Sequence, residues 1–136
     1  MVKRMIYKNP VLTVDGVIIK NHSIVLVKRS KPPFEGQYAL PGGFVEYGET
    51  VELALIREIV EETGLKVKIK NLIGVYSDPD RDPRGHIISL AFRAQIIGGE
   101  LSSGSDASEV RLFDIRNLPR LAFDHERIIQ DALTRV

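Results

Sequence analysis

Six glutamates fall within PGGFVEYGETVELALIREIVEETGL, Pro41 to Leu65, and Glu58, Glu61 and Glu62 take three of five consecutive positions. Carboxylates at that density repel one another. On a helix, an i,i+4 pair such as Glu58 and Glu62 costs about a few tenths of a kcal/mol, where a lysine partner would be mildly stabilising. Arg57 is the only basic residue of the stretch; it can reach Glu61 but cannot neutralise three carboxylates. A hard divalent cation reverses the sign, because Mg²⁺ prefers carboxylate oxygens. Just upstream, Gly42-Gly43 lets an ion or ligand approach the main chain. These residues could therefore bind a divalent cation in an oxygen cage that includes a backbone carbonyl. The competing readings are a solvated acidic face and an ordinary turn.

A helix must bring the carboxylates together. Thr50 reads as its N-cap, helical propensity stays high through Glu62, and Gly64 is placed to end it, which gives about thirteen residues. At about 100° per residue from Val51, Leu55, Ile59, Ile56, Val60 and Leu53 span roughly 40° to 200° and predict the packed face. Glu61, Glu58 and Glu62 fall at roughly 280°, 340° and 20°, on the opposite side. Glu52 lies inside the apolar arc, in the first turn, where the helix dipole favours an acid.

The remaining elements follow from local composition. Val11 to Ile19 and Ser23 to Val27 read as a hairpin turning at Lys20-Asn21-His22, and Tyr38 to Leu40 as a brief strand ending at Pro41-Gly42-Gly43. Lys66 to Tyr76 and His86 to Ile97 are strand-like around the turn-rich Ser77 to Gly85. A polar loop, Gly98 to Ser108, leads to a short strand near Val110 to Phe113, and Asp124 to Arg135 reads as a terminal helix. Strands mixed with two helices predict an α/β (α+β) class, with the sheet covered on its faces.

Composition narrows the function. The 136 residues are 43% hydrophobic and 27% charged, which predicts one domain over residues 1–136 that folds without staples. There is no cysteine, so any metal must bind oxygen or imidazole. No apolar run approaches the roughly 20 residues that span a bilayer, and MVKRMIYKNP lacks a signal-peptide stretch, so no membrane association and a cytoplasmic location are expected. The net charge of +1 conceals segregated signs, with seven Lys or Arg against Asp15 and Glu35 in residues 1–35. Without a basic excess or regularly spaced aromatics, no long nucleic acid is expected as partner. A small anion that needs both a cation and basic side chains fits better.

Gly43, five residues, Glu49, seven residues, Arg57-Glu58-Ile59, one residue, Glu61-Glu62, one residue, then Gly64 and Leu65 resembles the complete signature of the Nudix hydrolases. The resemblance implies an α/β/α sandwich with a mixed sheet between helices over nearly the whole chain. It also implies hydrolysis of a nucleoside diphosphate linked to another group, with Mg²⁺ or Mn²⁺ as cofactor. By the same resemblance Glu58 and Glu62 are the main metal ligands, Glu61 shares a further ion, and the carbonyl of Gly42 completes the shell. Arg57 holds the carboxylates by ion pairing, Glu49 supports it, and Gly64 only terminates the helix. The general base in this family is a glutamate of the signature or an acid from a later loop. SDASEVRLF offers Asp106 and Glu109, of which Glu109, just before a strand, is the expected base.

SDPDRDPRGH, with Pro79 fifteen positions past Gly64, resembles the ADP-ribose pyrophosphatase branch. Guanidinium groups match phosphate oxygens bidentately, so Arg29, Arg81 and Arg84, with His86 beside them, are expected to bind the substrate's phosphates or terminal ribose. Phe34, Tyr38 and Tyr47 are the candidates for stacking on adenine; a rigid charged hairpin and core aromatics are the plainer readings. Members of this branch are often homodimers, so a homodimer is the assembly the resemblance suggests. Two alternatives remain open: another Nudix substrate, such as a damaged nucleoside triphosphate, a dinucleoside polyphosphate or a nucleotide sugar, and an ADP-ribose sensor without catalysis. Such regulators carry a DNA-binding domain, for which 136 residues leave no room, and an intact glutamate set favours catalysis. A purely structural acidic helix is the third reading.

Overall fold

A buried run rich in β-branched residues organises the protein. In the computed structural model, which describes residues 8–102 and 107–134, with side chains from Glu109 onward in the second stretch, Thr13 to Ile18 are all buried. They form the middle of β1, Val11–Lys20, and a strand buried throughout must be covered on both faces. Chain reversal into β2, Ser23–Arg29, passes through Asn21 and His22, both at positive φ, as the tight hairpin turn compatible with strand twist requires.

β1 is divided between partners. Its last residues pair with β2, Ile19 opposite Ile24, while its first half pairs on that side with β4, Gly42–Phe44. Its other edge runs parallel to β6, Ile87–Gly99. β5, Leu65–Tyr76, joins β6 antiparallel. β3, Tyr38–Ala39, and β7, Ala107–Asp114, both join β2. The result is one mixed seven-stranded sheet. The glycine pair, for which an ordinary turn is the competing reading, thus begins a strand, and β7 is longer than Val110 to Phe113.

Period-two alternation sends side chains to two cores. Val14, Ile18, Val25 and Phe92 meet α1, Val51–Thr63, through Leu55 and Ile59. On the other face Val17, Ile24, Leu26 and Ala91 meet α2, His125–Thr134, through Ile128 and Ile129. This is the expected α/β/α layering. Among the described residues no helix is long and apolar enough to cross a membrane.

α1 begins and ends where local chemistry predicts. Thr50 accepts from the Leu53 N–H at 3.1 Å, and Gly64, at φ 76°, donates to the Val60 carbonyl. Its packed face is rotated from the wheel, however. Ala54, Leu55, Ile59 and Thr63 are buried, whereas Leu53 and Val60 are 58% and 42% exposed. Thr63 enters the core because its hydroxyl donates to the Ile59 carbonyl at 2.6 Å. The rotation leaves Glu58 and Glu62 half-buried within the packed arc, between Ala54 and Leu55 and beside β4, instead of opposite it.

Candidate active site

Between α1, strands β1 to β4, the β5–β6 loop and the segment before α2 lies a cleft of about 470 Å³. α1 and β4 form its acidic wall. The Gly42 N–H donates to Glu62 Oε1 at 2.8 Å, and a Cβ on Gly43 would fall 2.4 Å from Glu58 Cδ. Gly43 therefore presses its main chain against the Glu58 carboxylate, which a side chain there would displace. Arg57 braces the wall from outside. Its Nε and Nη2 donate to the two oxygens of Glu49 at 3.1 and 2.6 Å, its Nη1 to Glu58 Oε1 at 2.7 Å, and its Nη2 to the Phe44 carbonyl at 3.2 Å. The Glu49 hydrogen bonds, followed by Glu58, hold the guanidinium above its ordinary pKa, and Arg57 in turn holds the Glu49 carboxyl below its own.

Two hard carboxylates one helical turn apart, beside the main chain of a glycine strand, suit a divalent cation. Among the described residues no three acids or imidazoles converge into a finished cage. Mg²⁺ usually takes one or two carboxylates and fills its octahedron with water and substrate phosphate. Glu61 stands apart: it is outside the cleft lining, its side chain is 54% exposed, and it lies 3.4 Å from Arg57.

The opposite wall is basic. Arg84 grips Asp82 through Nε and Nη2 at 3.1 and 2.8 Å and stacks over Phe44. Burial pushes the Asp82 carboxyl up, but the Arg84 hydrogen bonds outweigh it and leave the group below its usual range. Arg29 donates through Nε to the Pro33 carbonyl at 2.6 Å. Burial, and then the nearby Arg84 charge, lowers its pKa. Arg81 lines the cleft but is committed elsewhere: only 5% of its side chain is exposed, and Nε and Nη2 hold both oxygens of Asp124 at 2.9 and 2.6 Å. It ties the β5–β6 loop to the start of α2. Removing one partner of a buried pair strands the other charge, so Asp124→Ala is expected to lower unfolding free energy by about 2 kcal/mol, discounted for the partial exposure of Asp124. Urea denaturation measures this.

Several expected residues are placed away from the cleft. His86 is exposed, with Nε2 3.0 Å from the Ser77 carbonyl. Phe34 packs edge-on to Phe123 at 4.9 Å, behind the lining. Tyr47 is fully exposed, and the Tyr38 hydroxyl donates to Glu109 at 2.6 Å. Glu109 also pairs with Arg111 at 3.5 Å, and the Tyr38 hydrogen bond leads in lowering its pKa. Its carboxylate is thus turned to β3 and β7, outside the cleft lining. Asp106 lies outside the described residues.

Sequence reasoning missed Phe123 and a buried polar set at the cleft floor. Asp15, 7% exposed, accepts from the Ser89 hydroxyl through Oδ2 and faces His125 Nε2 at 3.6 Å through Oδ1. The Leu40 N–H donates to His125 Nδ1 at 3.0 Å, which puts the imidazole proton on Nε2, toward Asp15. An acid in the middle of VLTVDGVII was the available signal. Burial, first of all, lowers the His125 pKa. The unfolded chain, with an ordinary value of about 6.5, then binds more protons than the native one below that pH. Stability is therefore expected to be full above about pH 6.5 and to decline as acid titrates the unfolded histidine. Melting curves of wild type and His125→Gln between neutral and mildly acidic pH should show a shallower slope in the variant.

The family model described as the NUDIX domain matches residues 10–132. An ADP-ribose pyrophosphatase of Methanocaldococcus jannaschii is 60% identical over 129 residues, 95% of this chain and 76% of that protein. The NUDIX domain of Shewanella oneidensis NrtR, solved in complex with ADP ribose, superposes with a TM-score of 0.85 at 28% identity, covering 95% of this chain and 90% of that one. A bifunctional NMN adenylyltransferase/ADP ribose pyrophosphatase of Francisella tularensis, solved with AMP and a manganese ion, gives 0.83 at 33% identity. The match covers 93% of this chain and 42% of that one.

Proposed function

Because this chain belongs to the NUDIX family, we propose that it hydrolyses the diphosphate bond of ADP-ribose, giving AMP and ribose 5-phosphate. The observation that carries this reading is the opposition of charge across one cleft, Glu58 and Glu62 on one side, Arg29 and Arg84 on the other. A diphosphate flanked by sugars needs both: acids to hold a cation against it, and guanidiniums to receive its oxygens. The likeness to an enzyme named for that substrate and to a domain bound to ADP ribose supports the choice.

In this reading Glu58, Glu62 and the Gly42 carbonyl hold Mg²⁺ or Mn²⁺, with Glu61 available to a further ion. Bound there, such a cation neutralises the diphosphate, acidifies the attacking water and steadies the leaving oxygen. Arg57 fixes the direction of Glu58 through its hydrogen bond to Oε1. Arg29 and Arg84 orient the phosphates, a task of positioning and electrostatics. With Glu109 turned to Tyr38, a single signature glutamate of α1 accepts the water's proton. The reading includes a homodimeric, cytoplasmic enzyme, and light scattering tests the assembly.

Incubating the protein with Mg²⁺ and ADP-ribose should yield AMP and ribose 5-phosphate in equal amounts. Rapid turnover of a nucleoside triphosphate, a dinucleoside polyphosphate or a nucleotide sugar, with ADP-ribose inert, overturns the proposal. The likeness to NrtR favours a second reading, a sensor that binds ADP-ribose intact; binding without products would select it.

A further inference from the structure

Phe123 has no place in the reaction as derived, yet it stands at the centre of the basic wall. The guanidinium carbon of Arg29 lies 4.9 Å from its ring centroid, and that of Arg84 lies 5.4 Å away. Phe34 meets the ring edge-on at 4.9 Å. Both phenylalanines adopt the left-handed conformation, Phe123 at φ 54° and Phe34 at φ 59°. Bulky L-residues seldom take it, and where they do the surroundings impose it. Here the imposition is visible: Leu121 bridges to Tyr38, and the Ala122 N–H donates to the Tyr38 carbonyl at 2.9 Å, which anchors the segment and delivers the next side chain into the cleft.

Of the two guanidiniums, Arg84 is held by Asp82. Arg29 is held only at Nε; among the described residues its terminal nitrogens make no hydrogen bond or ion pair. A long, half-buried cation with spare donors would ordinarily swing toward the nearest acid, and Asp82, Glu62 and Asp15 are all close enough to bias its titration. A ring face attracts the guanidinium without using its in-plane donors, so it can fix the arginine and leave those donors for an incoming anion.

We propose that Phe123, braced by Phe34, is a positioning residue that holds Arg29 on its ring so that the terminal guanidinium nitrogens face the cleft to receive a phosphate of the substrate's diphosphate. This rests on the proposed function for the identity of the anion. Phe123 itself touches no reacting atom; it acts through Arg29.

The informative variant is Phe123→Gly, which removes the ring at a backbone conformation glycine adopts freely and so spares the fold. Its KM for ADP-ribose is expected to rise roughly tenfold, the scale of one hydrogen bond to a charged group, with kcat little changed. Phe123→Trp, which keeps a ring face, should stay near wild type. Arg29→Ala should raise KM at least as much, and the double variant should match Arg29→Ala alone, since two changes acting through one contact do not add. Additive effects, or an unchanged KM in Phe123→Gly, overturn the inference. If Arg29→Ala leaves KM unaltered, the assignment of Arg29 fails and the inference with it. If ADP-ribose proves not to be a substrate, the reading of the reaction falls by itself. Calorimetry of the same variants with inorganic pyrophosphate then decides, a loss of affinity in Phe123→Gly supporting the inference and unchanged affinity overturning it.

Discussion

Glu58→Gln is expected to lower kcat/KM for ADP-ribose by roughly a thousandfold, about 4 kcal/mol of transition-state stabilisation, while the melting temperature moves little. The amide keeps the shape of the carboxylate and an oxygen for Arg57, which holds Glu58 Oε1 at 2.7 Å and retains both bonds to Glu49. Only the charge is lost. On a helix whose Glu58 and Glu62 repel, that loss is mildly stabilising, by about a few tenths of a kcal/mol; losing a charged partner of Arg57 opposes it. Stability and activity thus separate, which is the signature of a charge placed for a ligand. A Gln variant with full turnover, and magnesium titration unchanged by calorimetry, would return α1 to the status of an ordinary acidic helix.

The second large effect is a contrast between neighbours. A Cβ on Gly42 would sit 2.0 Å from the Val14 carbonyl oxygen, a main-chain atom in a central strand. Alanine there must part β4 from β1, so Gly42→Ala should lower stability by about 2 kcal/mol or more, several degrees in melting temperature. At Gly43 the obstacle is the Glu58 carboxyl carbon at 2.4 Å, the far end of a flexible side chain. Gly43→Ala should leave the fold nearly intact and push that carboxylate aside, and a displacement of about 1 Å from productive geometry can cost a hundredfold in rate. Thermal melting and steady-state kinetics on both variants read the two outcomes. Equal melting temperatures, or full activity in Gly43→Ala, would contradict the packing of β4 on α1.

Much of this was legible where the physics is local. Thr50, Gly64 and the apolar period specify α1 within a single stretch of chain, and so does the spacing that sets Glu58 and Glu62 one turn apart. What escaped depends on partners far along the sequence. Gly42-Gly43 reads as a turn until β1 offers it a ladder. Leu53 and Val60 belong to the apolar arc by hydrophobicity alone, yet the orientation of α1 is set by what it packs on, including a threonine that satisfies its own hydroxyl. Arg81 has the chemistry of a phosphate ligand, but Asp124, 43 residues later, claims it. Asp15, Ser89 and His125 come from three distant segments and meet only in the folded chain.

The sharing of β1 also bears on how the chain reaches its fold. The hairpin to β2 contributes only two cross-strand pairs to β1, while the parallel ladder to β6 contributes eight and joins Val14 to Leu90. Most of the hydrogen-bonding capacity of β1 therefore stays unmet until more than half the chain is available. Closing so long a loop precedes any gain from the ladder, which slows folding and sets its order. A ribosome-bound chain that has not yet released β6 presents VLTVDGVII as an open, apolar edge, the kind of surface that chaperones cover and that associates with copies of itself.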